Sequence, residues 1–345
     1  MKRADRGIGE LALIEQIRLG SGRPRGPVRL GIGDDCAILR VPAGYEMLVT
    51  TDFSLEGRHF RRDWHTPESV GHRCLARGLS DLAAMGADPV AAFLSLALPG
   101  EMLETAKGRS WVRRFFAGLH GLGDRYEVTL AGGDTAESPA GMLLADIVLV
   151  GAAPSGKALR RSGGRAGDVV YCTGSLGGAA AELGEMIAGR RAKRTLGKSR
   201  EIHPQMFPEP RMAVGQALLR RGLASACIDM SDGLSTDLAH LCLESSVHAE
   251  VQRAALPVHP LAARLKNEEL ERAVLHGGED YELLFAAPES AVMPRKIAGV
   301  AITRIGRLTR RRAGEPVVTL VDPDGGGRPL KPSGWEHFSG AAKNL

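Results

Sequence analysis

The chain has 345 residues, 43% hydrophobic and 4% aromatic, with a net charge of +5 and a pI near 9.1. That length exceeds one ordinary core and predicts two domains, and no apolar run is long enough for a membrane-spanning helix, so no membrane partner is expected. The five cysteines, Cys36, Cys74, Cys172, Cys227 and Cys242, are odd in number and form no C-x-x-C pair, which argues against a disulfide framework or structural zinc; they read as small buried apolar residues in a reducing cytoplasm.

The N-terminus begins with basic residues, but Glu10, Glu15 and Arg18 break any apolar core, so a short amphipathic helix is predicted rather than a signal peptide. "GIGDDCAIL", Gly31 to Leu39, sets Asp34 and Asp35 after a Gly-x-Gly turn, with Cys36 entering a strand. Glu46–Thr51 reads as a strand ending at Asp52. "TPESVGHRCLARGLSDLAAMGADP" reads as a helix capped by Thr66, with Pro67 in its first turn and a stop at Gly86 and Pro89. At about 100° per residue, Val70, Cys74, Leu75, Leu79, Leu82 and Met85 share its apolar half, and Asp81 lands at the rim. Taken alone, Asp81 reads as half of a helix salt bridge to Arg77.

"EVTLAGGDT" is predicted as a strand running into a glycine turn with Asp134 at its tip, and 145–153 as a buried strand. The glycine-rich stretch 154–168 marks a boundary near residue 155, giving domains 1–155 and 156–345. Beyond it come the strand "VVYCTG", the helix "GGAAAELGEMIA", a strand over 225–230, a helix from Gly233 to Leu243 and a strand over 281–287. This alternation predicts an α/β or α+β organisation with mixed sheets. The basic stretches 189–200 and 309–314 carry no interleaved aromatics; they read as solvated loops, and no nucleic-acid partner is expected.

Carboxylates recur beside small and hydroxyl residues. "GIGDD", "TTD", "LSD", "GGDT" and "IDMSDG" each set Asp beside Gly, Ser or Thr. One such motif reads as a turn or N-cap; five together offer the hard-oxygen ligand set that suits Mg²⁺. Phosphate-cradling loops are missing. The nearest approach to a Walker A loop, "AKRTLGKS", has Ala192 where the first glycine belongs, and Cys36 occupies the third glycine position of a dinucleotide fingerprint. Any nucleotide therefore binds through metal ions held by aspartates. "GGEDYELLF" (277–285) puts Glu279 and Asp280 at a strand entrance, or at a plain acidic hairpin tip. Trp335 in "SGWEHF" offers a face for stacking on a flat ring, or a surface anchor for the tail.

As an ordered set, "GIGDDCAIL", "TTDFSLEGRHF", "LSDLAAMGADP", "AGGDT", "ALRRSGGRAGD", "PEPRMAVGQAL", "IDMSDGLSTDL", "GGEDYELLF" and "GWEHF" resemble the thiamine-monophosphate kinase family of the aminoimidazole-ribonucleotide-synthetase-like superfamily. The resemblance covers nearly the whole chain. It implies ATP-dependent phosphorylation of thiamine monophosphate to thiamine diphosphate. It also implies an N-terminal α/β domain whose sheet pairs across a homodimer, a C-terminal α/β domain, and several Mg²⁺ ions. Carried over by motif, the metal ligands would be Asp35, Thr50, Thr51, Asp52, Asp81, Asp134, Asp229 and Asp232, with Asp52 and Asp232 essential to turnover. ATP would meet Gly133, Asp134, Arg161 and Ser231, and the phosphate acceptor would meet His59, Glu279 and Trp335. One departure is Ala166, where the family commonly has Pro before "GD".

The chemistry suits such residues. Two phosphoryl groups, each with about two negative charges, repel by roughly 16 kcal/mol at about 4 Å and an effective dielectric near 20. Divalent cations held by carboxylates offset that repulsion. A phosphate acceptor is already ionised, so no proton-abstracting His is needed, and His59 is expected to bind rather than deprotonate. Three other readings compete: a superfamily synthetase that activates an amide or selenide, a phosphate-ligand sensor on a degenerate scaffold, and nucleic-acid binding. The selenide version wants a reactive Cys ahead of the acids, and none precedes Cys36. An intact acidic set is more than a sensor needs, and nucleic-acid binding lacks a motif.

Overall fold

The computed structural model describes residues 8–189 and 203–335, so all of the basic stretch 189–200 except Gly189 lies outside the described residues. The chain divides into one unit of residues 1–79 and 88–156 and a second of residues 80–87 and 157–345.

The first unit opens with helix α1 (Glu10–Ser21) and a two-stranded ribbon, β1 (Val28–Leu30) with β2 (Ile38–Leu39). Strand β3 (Tyr45–Leu55) leads to helix α2 (Pro67–Ala84), whose last turn belongs to the second unit. Strand β4 (Asp88–Leu98), the short helix α3 (Glu101–Glu104), helix α4 (Ala106–Arg125), β5 (Thr129–Glu137) and β6 (Leu144–Pro154) complete it. The sheet order is β3-β6-β4-β5, antiparallel except where β4 and β5 run parallel. Helix α2 forms as its sequence predicts, except that it ends at Ala84 and leaves Met85 half-buried beyond it. Thr66 Oγ1 accepts the Ser69 N–H at 3.2 Å, a side-chain cap on a donor the helix leaves unpaired. Val70, Cys74, Leu75, Leu79 and Leu82 are buried, and Asp81 is half-buried at the rim.

Two strands run further than expected. β3 pairs with β6 through Leu55, so Asp52 lies within a strand rather than past its end. β5 continues through "GGDTAE", pairing Gly133 with Leu94 and Asp134 with Ser95. The glycines therefore mark close strand approach, not a turn. Gly133 has φ +149°, and a Cβ there would sit 1.9 Å from the Leu94 carbonyl oxygen, a combination only glycine tolerates. Cys36 is also placed differently. It is exposed in a bend before β2 begins, while the other four cysteines are buried.

The second unit holds β7 (Val169–Thr173), α5 (Gly178–Ile187), α6 (Met212–Arg220), β8 (Ala226–Asp229), α7 (Leu234–Ser245), β9 (Val247–Gln252), α8 (Asn267–His276), β10 (Leu283–Ala287), β11 (Lys296–Ile297), β12 (Val300–Arg310), β13 (Val318–Val321) and β14 (Gly327–Pro329). The sheet order is β14-β13-β9-β12-β7-β10-β8, with β11 paired to β12. Residues alternate across this sheet. Val170, Cys172, Leu284 and Ala286 pack with Leu234, Leu238 and Leu241 of α7 and Val274 and Leu275 of α8. On the other face Tyr171 and Phe285 stack at 5.4 Å. The basic stretch 309–314 ends β12 and enters an exposed turn, as a solvated loop should.

Candidate functional site

In the first unit a cavity of about 810 Å³ opens beside the "GIGDD" loop and β5. Its polar rim includes Asp34, Asp35, Gly133 and Asp134, and its apolar floor includes Phe93 and Phe116. Within the loop the Asp35 N–H donates to the side chain of its neighbour, Asp34 Oδ1, at 2.9 Å. Asp35 and Asp134, 99 positions apart by residue number, thus share one pocket.

Thr50, Thr51 and Asp52 lie along β3. Strand alternation puts Thr50 and Asp52 on one face and the Thr51 hydroxyl on the other, so Thr51 reaches a ligand of that pair only through its main chain. The Asp52 carboxylate accepts from Arg77, with Nε at 2.9 Å and Nη2 at 2.7 Å. Asp146, on the neighbouring strand β6, has its pKa raised, first by burial and then by the Asp52 charge. Neither Arg77 as the partner of Asp52 nor Asp146 was foreseen from the sequence. His59 is half-buried, and its Nδ1 accepts the Leu55 N–H at 3.0 Å. In the neutral ring that leaves the proton on Nε2, a donor rather than a base.

The second unit gathers most of the remaining residues. β8 ends at Asp229, and the loop Met230–Gly233 leads into α7. Two other segments close on that loop. Glu279 N–H donates to the Ser231 carbonyl at 2.8 Å and Tyr281 N–H to the Met230 carbonyl at 3.0 Å. From the C-terminal tail, Trp335 N–H donates to the Asp232 carbonyl at 3.1 Å. Gly334 N–H donates to Thr236 Oγ1 at 3.1 Å, and a Cβ on Gly334 would fall 1.9 Å from the Asp232 carbonyl oxygen. Ser231, Asp232, Glu279 and Trp335 therefore converge, with Asp229 two residues upstream. Ser80 Oγ donates to Asp229 Oδ2 at 2.7 Å, which brings the turn carrying Asp81 to the same place. Arg161 is elsewhere: its carbonyl accepts from Ser245 Oγ at the C-terminal end of α7, about 18 Å of helix away from Asp232.

The acidic turn is not a solvated hairpin tip. Glu279 and Tyr281 adopt left-handed backbone, φ +67° and +50°, which costs non-glycine residues energy and persists only where surroundings impose it. Here they do. Asp280 accepts from Gly177 N at 2.6 Å and Ala179 N at 3.0 Å, capping α5, and burial pushes its pKa up to about 7. Glu282 is buried against Arg211, at 2.6 and 2.5 Å, and Thr173 Oγ1, at 2.6 Å. Asp237 was also unforeseen. Its Oδ2 accepts from Asp232 N at 3.1 Å and Gly233 N at 2.9 Å, and an acid in a first helical turn is the only signal the sequence offered for it. Its pKa lies well above the usual carboxylate range, first through burial and then through the charges of Asp229 and Asp232.

Among the described residues, no three His, Cys, Asp or Glu side chains converge to enclose a metal ion by themselves. The donor chemistry nonetheless fits Mg²⁺, which keeps waters and takes one or two carboxylates plus substrate phosphates rather than a closed protein cage. The mutual repulsion of Asp229, Asp232 and Asp237 is what a cation would relieve. No helix among the described residues is long and apolar enough to cross a membrane.

The family model "AIR synthase related protein, N-terminal domain" matches residues 33–153, and its C-terminal counterpart matches 165–319. Thiamine-monophosphate kinase of Escherichia coli (strain K12) is 37% identical over 345 residues, covering 96% of this chain and 98% of the relative. The crystal structure of thiamine-monophosphate kinase from Stenotrophomonas maltophilia K279a matches with a TM-score of 0.77 at 32% identity, over 93% of this chain and 98% of that one. AaThiL complexed with AMPPCP and TMP matches with a TM-score of 0.73 at 30% identity, over 96% and 97%. With both halves matched and nearly the full length aligned, the chain belongs to the thiamine-monophosphate kinase family of AIR synthase related proteins.

Proposed function

We propose that this chain transfers the γ-phosphoryl group of ATP directly, in line, to thiamine monophosphate, forming thiamine diphosphate. The observation that carries this is the 37% identity to a thiamine-monophosphate kinase over 98% of that protein. The AMPPCP and TMP complex of a 30% identical chain supports both substrates.

The residues take these roles in our reading. Asp35 and Asp134 at the cavity rim, and Thr50 and Asp52 on β3, supply oxygen ligands in the first unit; Thr51 adds main-chain oxygen. Asp81, Asp229 and Asp232 supply them in the second. These oxygens would hold Mg²⁺, which would supply the positive charge that offsets repulsion between donor and acceptor phosphates. Gly133 lets backbone press against the nucleotide and Ser231 offers a hydroxyl; Arg161 is assigned to the triphosphate by its motif alone, since its main chain lies at the other end of α7 from Ser231. His59 donates from Nε2 to a phosphate oxygen and takes no proton. Trp335 presents an aromatic face to the acceptor's ring, and Glu279 accepts from its amino group. Asp237 holds the Asp232 main chain from below.

The homodimer has support from β3. This edge strand is 11 residues long and exposes Tyr45, Met47, Val49 and Phe53 on one face, at 39, 56, 61 and 51%. A long apolar edge invites another strand, and a second copy satisfies it. Four buried thiols and no disulfide suit a cytoplasmic enzyme.

The test is incubation with Mg·ATP and thiamine monophosphate, with thiamine and aminoimidazole precursors as controls. Thiamine diphosphate is expected from the monophosphate alone. No product, or equal phosphorylation of thiamine, would overturn the reading.

A further inference from the structure

Gln205 belongs to no motif, yet it is 2% exposed in the segment that leads into α6. A buried amide brings two donors and an acceptor that must be paired. Its main-chain N–H donates to Glu182 Oε2 at 2.8 Å, and its side-chain Nε2 donates to Glu279 Oε2 at 2.7 Å. Glu182 is itself buried on α5 and is gripped a second time by His203 Nδ1 at 2.6 Å. The amide is thus anchored to a helix on one side and reaches the acidic turn on the other.

Glu279 needs such a hold. Its main chain is set by the bond to the Ser231 carbonyl and by its left-handed φ. Neither determines its carboxylate, because the terminal torsion of a glutamate is broad and nearly two-fold. A donor on Oε2 removes that freedom. It also strengthens the bond through the carboxylate's charge. The neighbouring acids, Asp280 and Glu282, are held by Gly177 and Arg211.

We propose that Gln205 is a positioning residue, which aims the Glu279 carboxylate at the amino-bearing ring of the phosphate acceptor and so sets affinity for that ring rather than for the nucleotide. This rests on the acceptor role given to Glu279 above. The amide is suited to the task because it donates while carrying no charge. A carboxylate at the same place would repel Glu279, and an apolar side chain would release it.

The experiment is steady-state kinetics of the full chain with Gln205→Met, Gln205→Glu, Glu279→Ala and the Gln205→Met/Glu279→Ala double variant, each checked by circular dichroism and thermal melting. Gln205→Met is expected to raise KM for thiamine monophosphate about tenfold, equal to about 1.4 kcal/mol, with KM for ATP within twofold. Gln205→Glu should raise the acceptor KM further. In the Glu279→Ala background, Gln205→Met should add less than twofold, because its partner is already gone. If Gln205→Met does not fold, Gln205→Glu, of equal size, carries the same criteria. An unchanged acceptor KM, or a full additional loss in the Glu279→Ala background, would overturn the proposal. If Glu279→Ala leaves both Michaelis constants unchanged, the acceptor role of Glu279 falls and Gln205 falls with it. If Glu279→Ala raises the acceptor KM and Gln205→Met does not, Gln205 alone is refuted.

Discussion

Arg211→Ala should destabilise the second unit by about 3 kcal/mol. Glu282 is 3% exposed and receives both ends of the Arg211 guanidinium, Nε to Oε2 and Nη2 to Oε1. Truncating one partner of a buried pair leaves an uncompensated charge, typically a loss of about 3–5 kcal/mol. The remaining contacts soften this only partly. Thr173 has a single hydroxyl proton, already given to Glu282, and its oxygen is engaged by the Leu283 N–H at 2.8 Å. The Ser175 N–H is 3.4 Å away. The lower end of the range follows, a fall in melting temperature of about 6–12 °C for a unit of this size. Scanning calorimetry and urea titration measure it. Arg211→Met combined with Glu282→Gln should recover more than half the loss, because the amide still accepts from Thr173 and no charge is buried. A loss below about 1 kcal/mol for Arg211→Ala, or a double variant no better than the single, would refute the claim that this ion pair holds the acidic turn.

Asp232→Ala and Asp52→Ala should each abolish turnover while leaving the far-ultraviolet circular dichroism intact; wild-type activity at saturating Mg²⁺ in either would contradict their assignment as metal ligands. Asp280 has a folded pKa raised from 3.8 to about 7 by burial, so the folded state holds the proton more tightly. Its contribution is full below pH 3.8 and is lost as pH rises towards 7, with a ceiling of roughly 4 kcal/mol. Urea titrations at pH 4.5 and 7.5 should therefore show Asp280→Asn gaining on the wild type at the higher pH, and the opposite trend would mean that the α5 N-terminus keeps Asp280 ionised. On the proposed homodimer through β3, Val49→Glu, at a position 61% exposed in the middle of that strand, should leave folding intact and halve the solution mass by light scattering; an unchanged mass would refute that pairing.

What the sequence made legible was local. The apolar half of α2 as far as Leu82, its Thr66 cap and the strands β6, β7, β8 and β10 follow from periodicity and capping chemistry within a few residues, whereas β4, β9, β12 and β13 were not read from the sequence. Strand ends were harder. Gly132 and Gly133 look like a turn, but their missing side chains instead make room for β4, about 40 residues earlier in the chain: the Phe93 ring at Gly132 and the Leu94 backbone at Gly133. The same applies to Asp52, since the pairing with β6 that carries β3 on to Leu55 is not encoded near Asp52. Cys36 was read as core because of its composition class, whereas the "GIGDD" loop holds it at a cavity wall.

The partners of the acids were illegible for the same reason. Arg77 lies 25 residues from Asp52, Arg211 lies 71 from Glu282, Gln205 lies 74 from Glu279, and Ser80 lies 149 from Asp229. An acid-rich motif announces negative charge without saying what neutralises it. Once the chain is folded, that charge divides. Glu282 and Asp280 hold their own turn together, whereas Asp35 and Asp134 stand exposed at the rim of a cavity. Asp52 is intermediate: the guanidinium of Arg77 is already on one of its oxygens. A cation arriving at Asp52 must therefore compete with Arg77, whereas one arriving at Asp35 and Asp134 displaces only water. If both proposed positions hold Mg²⁺, that difference predicts that the cavity rim fills at lower Mg²⁺ than β3, and equal Mg²⁺ dependence of Asp35→Asn and Asp52→Asn variants would refute it.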